Sequence, residues 1–434
     1  MDRQIPDRAP RLRLGLLALA TSVVHLVIGV YYATTAAPYE PKPTLRQTGE
    51  SYLTSFPGWN SDWEADSSGY NRAAVTVLET GVPRNRDGVP FFRAAVYAYF
   101  LAACYAIGGV RLLAVAVPQA MLNGLACWFI GLAAARSSPR NRSPAAIVAA
   151  VLVLVNLRLA MYVAMVYPTA LLILFVSLAL WAATWKPGLS RTLVVVLPLV
   201  LGAFAQGAFF VITFAAGVWF AVQFVRARRG ADLVGVGLVV ATVVMKLVLT
   251  FVGTSKDQWV RYDRGGTFWL ANNPYYESMR WWNLWESRPG NPWTKWRVSP
   301  PEQQRYDRYL HAANGDELRA AKLWIRENPL QYAKLCSIRL RTELGPFTGQ
   351  MSPRNRAIST VLWLLIFPAG FYGLWRARGP EGWQLAVIIA LCSVAFHSLV
   401  ISCWYLRYRV PMEMVLITYA GIGYAVWRAD RSES

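Results

Sequence analysis

Charge is what this sequence has least of. Asp, Glu, Lys and Arg together make up 16% of its 434 residues, where a soluble domain carries about a quarter. Acids are scarcer still, 24 against 44 basic residues, for a formal net charge of +20. Histidine occurs three times, as His25, His311 and His397, at unrelated spacings. That leaves little material for a histidine-built metal cluster. The five cysteines, Cys104, Cys127, Cys336, Cys392 and Cys403, contain no CxxC pair and no zinc-ligand spacing. Most lie in apolar runs, so they read as small buried hydrophobes, not as a disulfide framework or a zinc site. Internal repeats and low-complexity segments are absent too, which counts against folds built from two pseudo-repeated halves.

Apolar sequence is abundant. Hydrophobic residues reach 55% and mean hydropathy is +0.30. Several uninterrupted runs approach ~20 residues, the length that crosses a bilayer as a helix. This is the pattern of an all-α polytopic membrane protein. The positive surplus then has a topological use. Most cationic clusters sit at the ends of apolar runs, where they set orientation and meet anionic headgroups. The partner they imply is the bilayer, with no nucleic acid.

The runs predict ten spans, at 14–33, 112–135, 145–166, 169–185, two short helices within 193–225, then 233–252, 358–375, 385–401 and 410–427. The pair within 193–225 pivots at Gln206-Gly207. The first run follows the basic "MDRQIPDRAPRLR" and exceeds the ~7–15 apolar residues of a signal peptide, so it reads as a retained helix. The clusters "RSSPRNR", "KPGLSR", "RARRG", "WRARGPEG" and "WRADRSES" assign one side of the membrane to the cytoplasm, together with both termini. Residues 37–111 and 254–356 then lie outside. The division expected is a transmembrane module with its first external loop over 1–253, an external aromatic-rich segment over 254–356, and C-terminal spans over 357–434. The first loop carries two helical stretches, 67–80 and 91–107. The second is short and aromatic and belongs at the membrane interface. Eight of the 19 tryptophans fall within 254–356. There, the basic amphipathic stretch 317–341 is expected to lie along the membrane surface.

Ionisable residues inside spans are costly and so are functional candidates. Arg158 lies well within "VNLRLAMY" and reads as facing a cavity. Lys246, in "VVMKLVL", is either a snorkelling lysine or a functional one. His397, near the outer end of its span, is either hydrogen-bonded to a neighbouring carbonyl or part of a site. "CWYLRYRVPMEM" puts Arg407 and Arg409 on either side of Tyr408 at the outer mouth of the last span. Paired arginines there are interfacial anchors or, because a guanidinium grips phosphate oxygens bidentately, holders of an anionic headgroup. The stretch "SDWEADSSGY" places Asp62, Glu64 and Asp66 before a helix, in a chain poor in acids. Asp66 reads as the helix N-cap or as a reactive carboxylate.

In "DSSGYNRAAVTVLETGVPRNRDGVPFFRAAVYAYFLAACYAIGG", Asp66, Tyr70, Ala73, Leu78, Gly81, Pro90 and Arg93 stand in order. This resembles the first external loop of GT-C-type glycosyltransferases, in the bacterial branch near dolichyl-phosphate-mannose protein mannosyltransferases and lipid A aminoarabinose transferases. "FWLANNP" (268–274) looks like the family's "GNNP" element. "LWIRENPLQYAKLCSIRL" (323–340) looks like its "I-x-x-N/H-P-x-x-Y/F" segment. "HSLVISCWYLRYRVPMEM" looks like its closing His…Arg-Tyr-Arg-x-Pro element. The chain departs from the family at "VYPTALL", where a second acid is common, and at Gln206-Gly207, where Arg-Pro is common.

The resemblance implies a GT-C-like bundle of about ten spans in a bacterial inner membrane, with the active site facing the periplasm. It implies a polyprenyl-phosphate sugar donor, undecaprenyl phosphate in bacteria, and a lipid, glycan or protein acceptor. Asp66 would be the general base, with Asp62 and Glu64 as alternative acids. Arg407, Tyr408, Arg409, His397, Tyr70, Arg93, Arg158 and Lys246 would bind substrate. No cofactor is called for, and no metal-ligand set stands out. A lipid-linked sugar flippase or transporter is the alternative from another class. It too would carry polar residues in spans, but it has no need of a carboxylate after the first span.

Overall fold

The computed structural model describes the backbone over residues 8–35, 65–84, 94–252, 300–346, 353–379, 381–400 and 409–433, with Gly88, Pro90, Phe268 and Asn272 between them. Every regular element among these residues is helical. Seven helices are long and apolar enough to cross a membrane, or eight if one bent pair counts as a span. The protein is therefore an all-α, multi-pass membrane protein. Shorter apolar helices, Thr169–Ala182 and Leu189–Ala205, of 14 and 17 residues, occupy the positions of two further expected spans. The chain divides into two compact units.

The first unit comprises Met1–Leu247, Leu364–Cys392 and Val410–Ser434. Its helices are α1 (Arg8–Thr35), α2 (Ala65–Thr80), α3 (Ala95–Gly108), α4 (Leu112–Ser137), α5 (Arg142–Leu154), α6 (Leu157–Met161), α7 (Thr169–Ala182), α8 (Leu189–Ala205), α9 (Phe210–Ala227) and most of α10 (Gly230–Val252). Parts of α14 (Pro353–Arg376) and α15 (Glu381–Leu399), and all of α16 (Val410–Glu433), complete it. α4 packs on α1, α5 and α7, and α16 lies against α4, α5 and α7. Lipid tails are as apolar as leucine, so helix association rests on close van der Waals fit through small residues. Here a Cβ on Gly421 of α16 would collide with the Ala145 carbonyl of α5. One on Gly373 of α14 would collide with the Tyr419 carbonyl of α16.

The third expected span is broken. α5 ends at Leu154, and the chain bends by 48° before continuing as Leu157–Ala164. Asn156 starts the second piece as an N-cap, its side chain accepting from the Arg158 amide at 3.2 Å. A break inside a membrane frees carbonyls that must find donors within the protein. His25 of α1 hydrogen-bonds the Leu154 carbonyl at 3.1 Å. Asn123 of α4 serves the Leu159 carbonyl at 3.1 Å and the His25 ring at 3.1 Å. Its amide donates to His25 Nδ1, which leaves Nε2 as the nitrogen that donates to Leu154. Gln119, one turn before Asn123, serves the carbonyls of Val163 at 3.0 Å and Met165 at 2.9 Å. The pivot expected near Gln206-Gly207 is present as an extended Gln206 followed by a 3-10 turn, Gly207–Phe209. Lys246 and Thr213 take the Ala203 and Leu199 carbonyls beside it, each at 2.7 Å.

Ion pairs join helix ends across the unit. Arg140 pairs with Glu433 at 2.9 Å, Arg376 with Asp430 at 3.0 Å, and buried Arg191 with Asp232 at 3.1 Å. All six lie in or beside segments expected on the cytoplasmic side. Tyr70 of the first loop meets Tyr167, in the expected outer turn, with ring centroids 6.5 Å apart.

The second unit comprises Val248–Trp363 and Ser393–Arg409. The amphipathic segment expected along the membrane surface, 317–341, forms two helices whose apolar residues help build a small core. α11 (Pro300–Ala312), α12 (Glu317–Glu327) and α13 (Pro329–Leu344) follow one another. Asp316 caps α12 by accepting from the Arg319 amide at 2.9 Å, and Pro329 opens α13 in the position proline favours. The apolar face of α12, with Ala320, Ala321 and Trp324, is buried against Tyr309, Ala313 and Leu335. Trp324 therefore serves a core and not the bilayer. Tyr309 donates to Glu327 at 2.9 Å. Burial, with that carboxylate beside it, holds the Tyr309 hydroxyl above its ordinary pKa.

Candidate functional site

The C-terminal half of α13 gathers the polar residues of the second unit. Leu335, Arg339 and Glu343 are spaced four apart, so they share one helix face, and all three are buried. Arg339 donates to the Asn272 side chain at 3.0 Å, and Asn272 donates to the Phe268 carbonyl at 2.8 Å. Glu343 lies 3.4 Å from Nδ1 of His397, whose ring also neighbours Ser393 at 3.5 Å. Arg409 donates to the carbonyl of Gly345, and Trp363 to that of Leu344 at 2.6 Å. Both close the end of α13, where helix carbonyls have no partner of their own and a cation is favourable. Among the described residues the cluster thus holds two guanidinium groups against one carboxylate. Buried charges persist only when paired or hydrogen-bonded. A guanidinium group suits an anion such as phosphate.

Three motifs far apart in sequence meet here: Asn272 of "FWLANNP", Arg339 of "LWIRENPLQYAKLCSIRL", and His397 with Arg409 of the closing element. His397 and Arg409 were expected in a site. Arg339 and Glu343 were not singled out, although their register with Leu335 was the available signal.

The other candidates with described positions belong to the first unit. α2 begins at Ala65, so Asp66 is its second residue, not its N-cap, and the capping position falls upstream. A carboxylate in the first turn still favours the helix, because the exposed amides there carry partial positive charge. Tyr70, one turn on, is buried edge-on against Tyr97, with centroids 5.2 Å apart. Arg158 is buried 3.8 Å from Glu413 of α16, whose other oxygen accepts from Asn156 at 2.8 Å. Its contact is a carboxylate inside the bundle. Lys246, at 2.7 Å from the Ala203 carbonyl, lies over the rings of Phe204 and Phe210. It caps a broken helix and does not snorkel. Asp62, Glu64, Arg93, Arg407 and Tyr408 lie outside the described residues, as does the side chain of Asp66. Among the described residues, no three His, Cys, Asp or Glu side chains come together to hold a metal ion.

Fold and site together define a multi-pass helical membrane protein with buried charged clusters in both of its units. In sequence, the chain matches no family model and no curated protein. Among solved structures it is similar to the archaeal oligosaccharyltransferase AglB from Archaeoglobus fulgidus, in complex with an inhibitory peptide and a dolichol-phosphate. The TM-score is 0.46 and the identity 13%, over 96% of this chain and 52% of that one. The chain thus spans about half the length of that protein.

Proposed function

We propose that this protein is an integral-membrane glycosyltransferase that moves a sugar from a polyprenyl phosphate, undecaprenyl phosphate in a bacterial inner membrane, to an acceptor on the periplasmic face. Asp66 is the general base. It takes the proton of the acceptor hydroxyl as that oxygen attacks the anomeric carbon. The bond from that carbon to the phosphate oxygen breaks, and its electron pair leaves on the phosphate. Arg407 and Arg409 stabilise the charge that grows there. One base opposite the leaving group makes this a single displacement with inversion.

The observation that carries the reading is the meeting of Asn272, Arg339, His397 and Arg409 in one buried cluster. Those residues come from three of the four elements that resemble the glycosyltransferase family. A buried cationic cluster is also what a phosphate leaving group requires. Arg409 carries a structural duty as well, holding the end of α13, so Arg407 is the cleaner residue to test. Mass spectrometry of surface glycans tests the proposal in a deletion strain complemented with wild-type or Arg407→Ala protein. The expected result is loss of one glycan on deletion, full restoration by wild type, and at least a ~30-fold lower transfer rate with Arg407→Ala. Unchanged glycans in the deletion strain contradict it.

A further inference from the structure

We infer that Gln119 is a positioning residue, the joint through which the turn after the broken span fixes the helix that carries Asp66. The role assigned to Asp66 rests on the function proposed above, whereas the joint itself rests on contacts within the first unit. Gln119 is fully buried, and its side chain serves three groups. Nε2 donates to the carbonyls of Val163 at 3.0 Å and Met165 at 2.9 Å. Those partners can only accept, so the nitrogen must face them, and Oε1 is left for the hydroxyl of Tyr97 at 3.4 Å. Tyr97 packs edge-on against Tyr70, and Tyr70 against Tyr167 in the same turn. Tyr70 and Asp66 are four residues apart on α2 and share a face. A second tie, from the Tyr105 hydroxyl to Asn71 at 2.7 Å, holds the next residue of α2 to α3.

No other side chain of this size does the same work. Glutamate has no donors for two carbonyls, and leucine has none for any of the three groups. A buried polar residue that merely filled space would be costly in a membrane. The end of the second piece at Ala164 gives it a purpose: the Val163 and Met165 carbonyls of that turn are the anchor, and the first-loop helix is what they anchor. A displacement of about 1 Å in a catalytic group can cost 10²-fold in rate, so the joint is expected to act on turnover and not on donor affinity.

The test uses Gln119→Leu and Tyr97→Phe in purified full-length protein in phosphatidylglycerol vesicles, with synthetic undecaprenyl-phosphate hexoses as donors and Asp66→Asn in parallel. Amide exchange along residues 69–80 is read first. Gln119→Leu should speed it ~10-fold and Tyr97→Phe about threefold, with α9 unaffected. For Gln119→Leu, kcat should fall by ~10- to 100-fold with donor KM within about twofold of wild type. Unchanged exchange in both variants overturns the inference. So does faster exchange with wild-type kcat while Asp66→Asn is inactive, because the contact would then be structural only. If Gln119→Leu fails to fold, Tyr97→Phe decides by the same two readouts, since it removes a single hydroxyl. If Asp66→Asn transfers like wild type, or no form transfers, the Asp66 reading fails, and exchange alone decides whether Gln119 holds α2.

Discussion

α16 and α10 are both long enough to cross a membrane, yet 89% of the span in α16 is buried within the protein and 22% of that in α10. Of the seven long spans, α16 is the least apolar and α10 the most. In water the order would be reversed, with the most apolar helix at the centre. In a bilayer the solvent is itself apolar, so lipid-facing helices can be uniformly greasy, and the protein interior is where polar and small residues find partners. α16 carries Glu413, Thr418, Gly421 and Gly423 into the packed centre. α10 carries Val240, Val244, Leu247 and Val248 on its outside. Its one basic residue, Lys246, points to the Ala203 carbonyl near the end of α8.

Removing the charge at the centre should break this contrast most severely. Glu413→Ala takes from Arg158 its carboxylate and from Asn156 its acceptor, inside the bundle. It should destabilise the detergent-solubilised protein by about 3–5 kcal/mol, read as loss of monodisperse protein or a large fall in Tm. A Tm within a few degrees of wild type would show the pair to be replaceable.

The small-residue seam gives the next effect. Gly373→Val drives a side chain into the Tyr419 carbonyl of α16 and should cost about 1–3 kcal/mol. Gly237→Val, on α10, meets open space and should stay within ~0.5 kcal/mol. Equal effects at the two sites would erase the distinction between central and peripheral helices. Lys246→Met should be milder, about 1 kcal/mol, for one lost bond to a helix end. Thermal unfolding in detergent reads it, and a stabilised variant would argue against the capping role.

The positions of most spans were legible because an apolar run of ~20 residues marks a span whether it meets lipid or protein. The pivot at Gln206-Gly207 was legible as well, since a run of 33 residues (193–225) fits neither one span nor two full ones. The break at Asn156 was not, because Val155 and Leu157 continue the apolar pattern on both sides. Its supports, His25, Gln119 and Asn123, lie on other helices and have no local signature. Arg158 stands out in sequence as an ionisable residue inside a span and reads as cavity-facing, whereas its partner across the bundle does not stand out. Glu413, that partner, passed as part of an interfacial motif because it sits one turn into the last span. The candidate site was legible as separate motifs. Their meeting around the C-terminal end of α13, and the place of Arg339 and Glu343 among them, depend on tertiary register that no single segment records. The amphipathic stretch 317–341 misled for a related reason. An apolar helix face does not say whether it will cover a membrane or a small core.

The central claim is that Asp66 acts chemically and does not merely start a helix. Asp66→Asn tests it most directly, because asparagine is nearly isosteric and forfeits only the ~0.3–1 kcal/mol a first-turn carboxylate draws from the helix dipole. Sugar transfer from polyprenyl phosphate should fall by ~100- to 10,000-fold, the share general-base catalysis supplies, with donor binding nearly unchanged. Asp62→Asn and Glu64→Gln should keep most of the activity. Transfer at the wild-type rate by Asp66→Asn, with Glu64→Gln inactive, would move the base by two residues. Full activity in all three would contradict the mechanism.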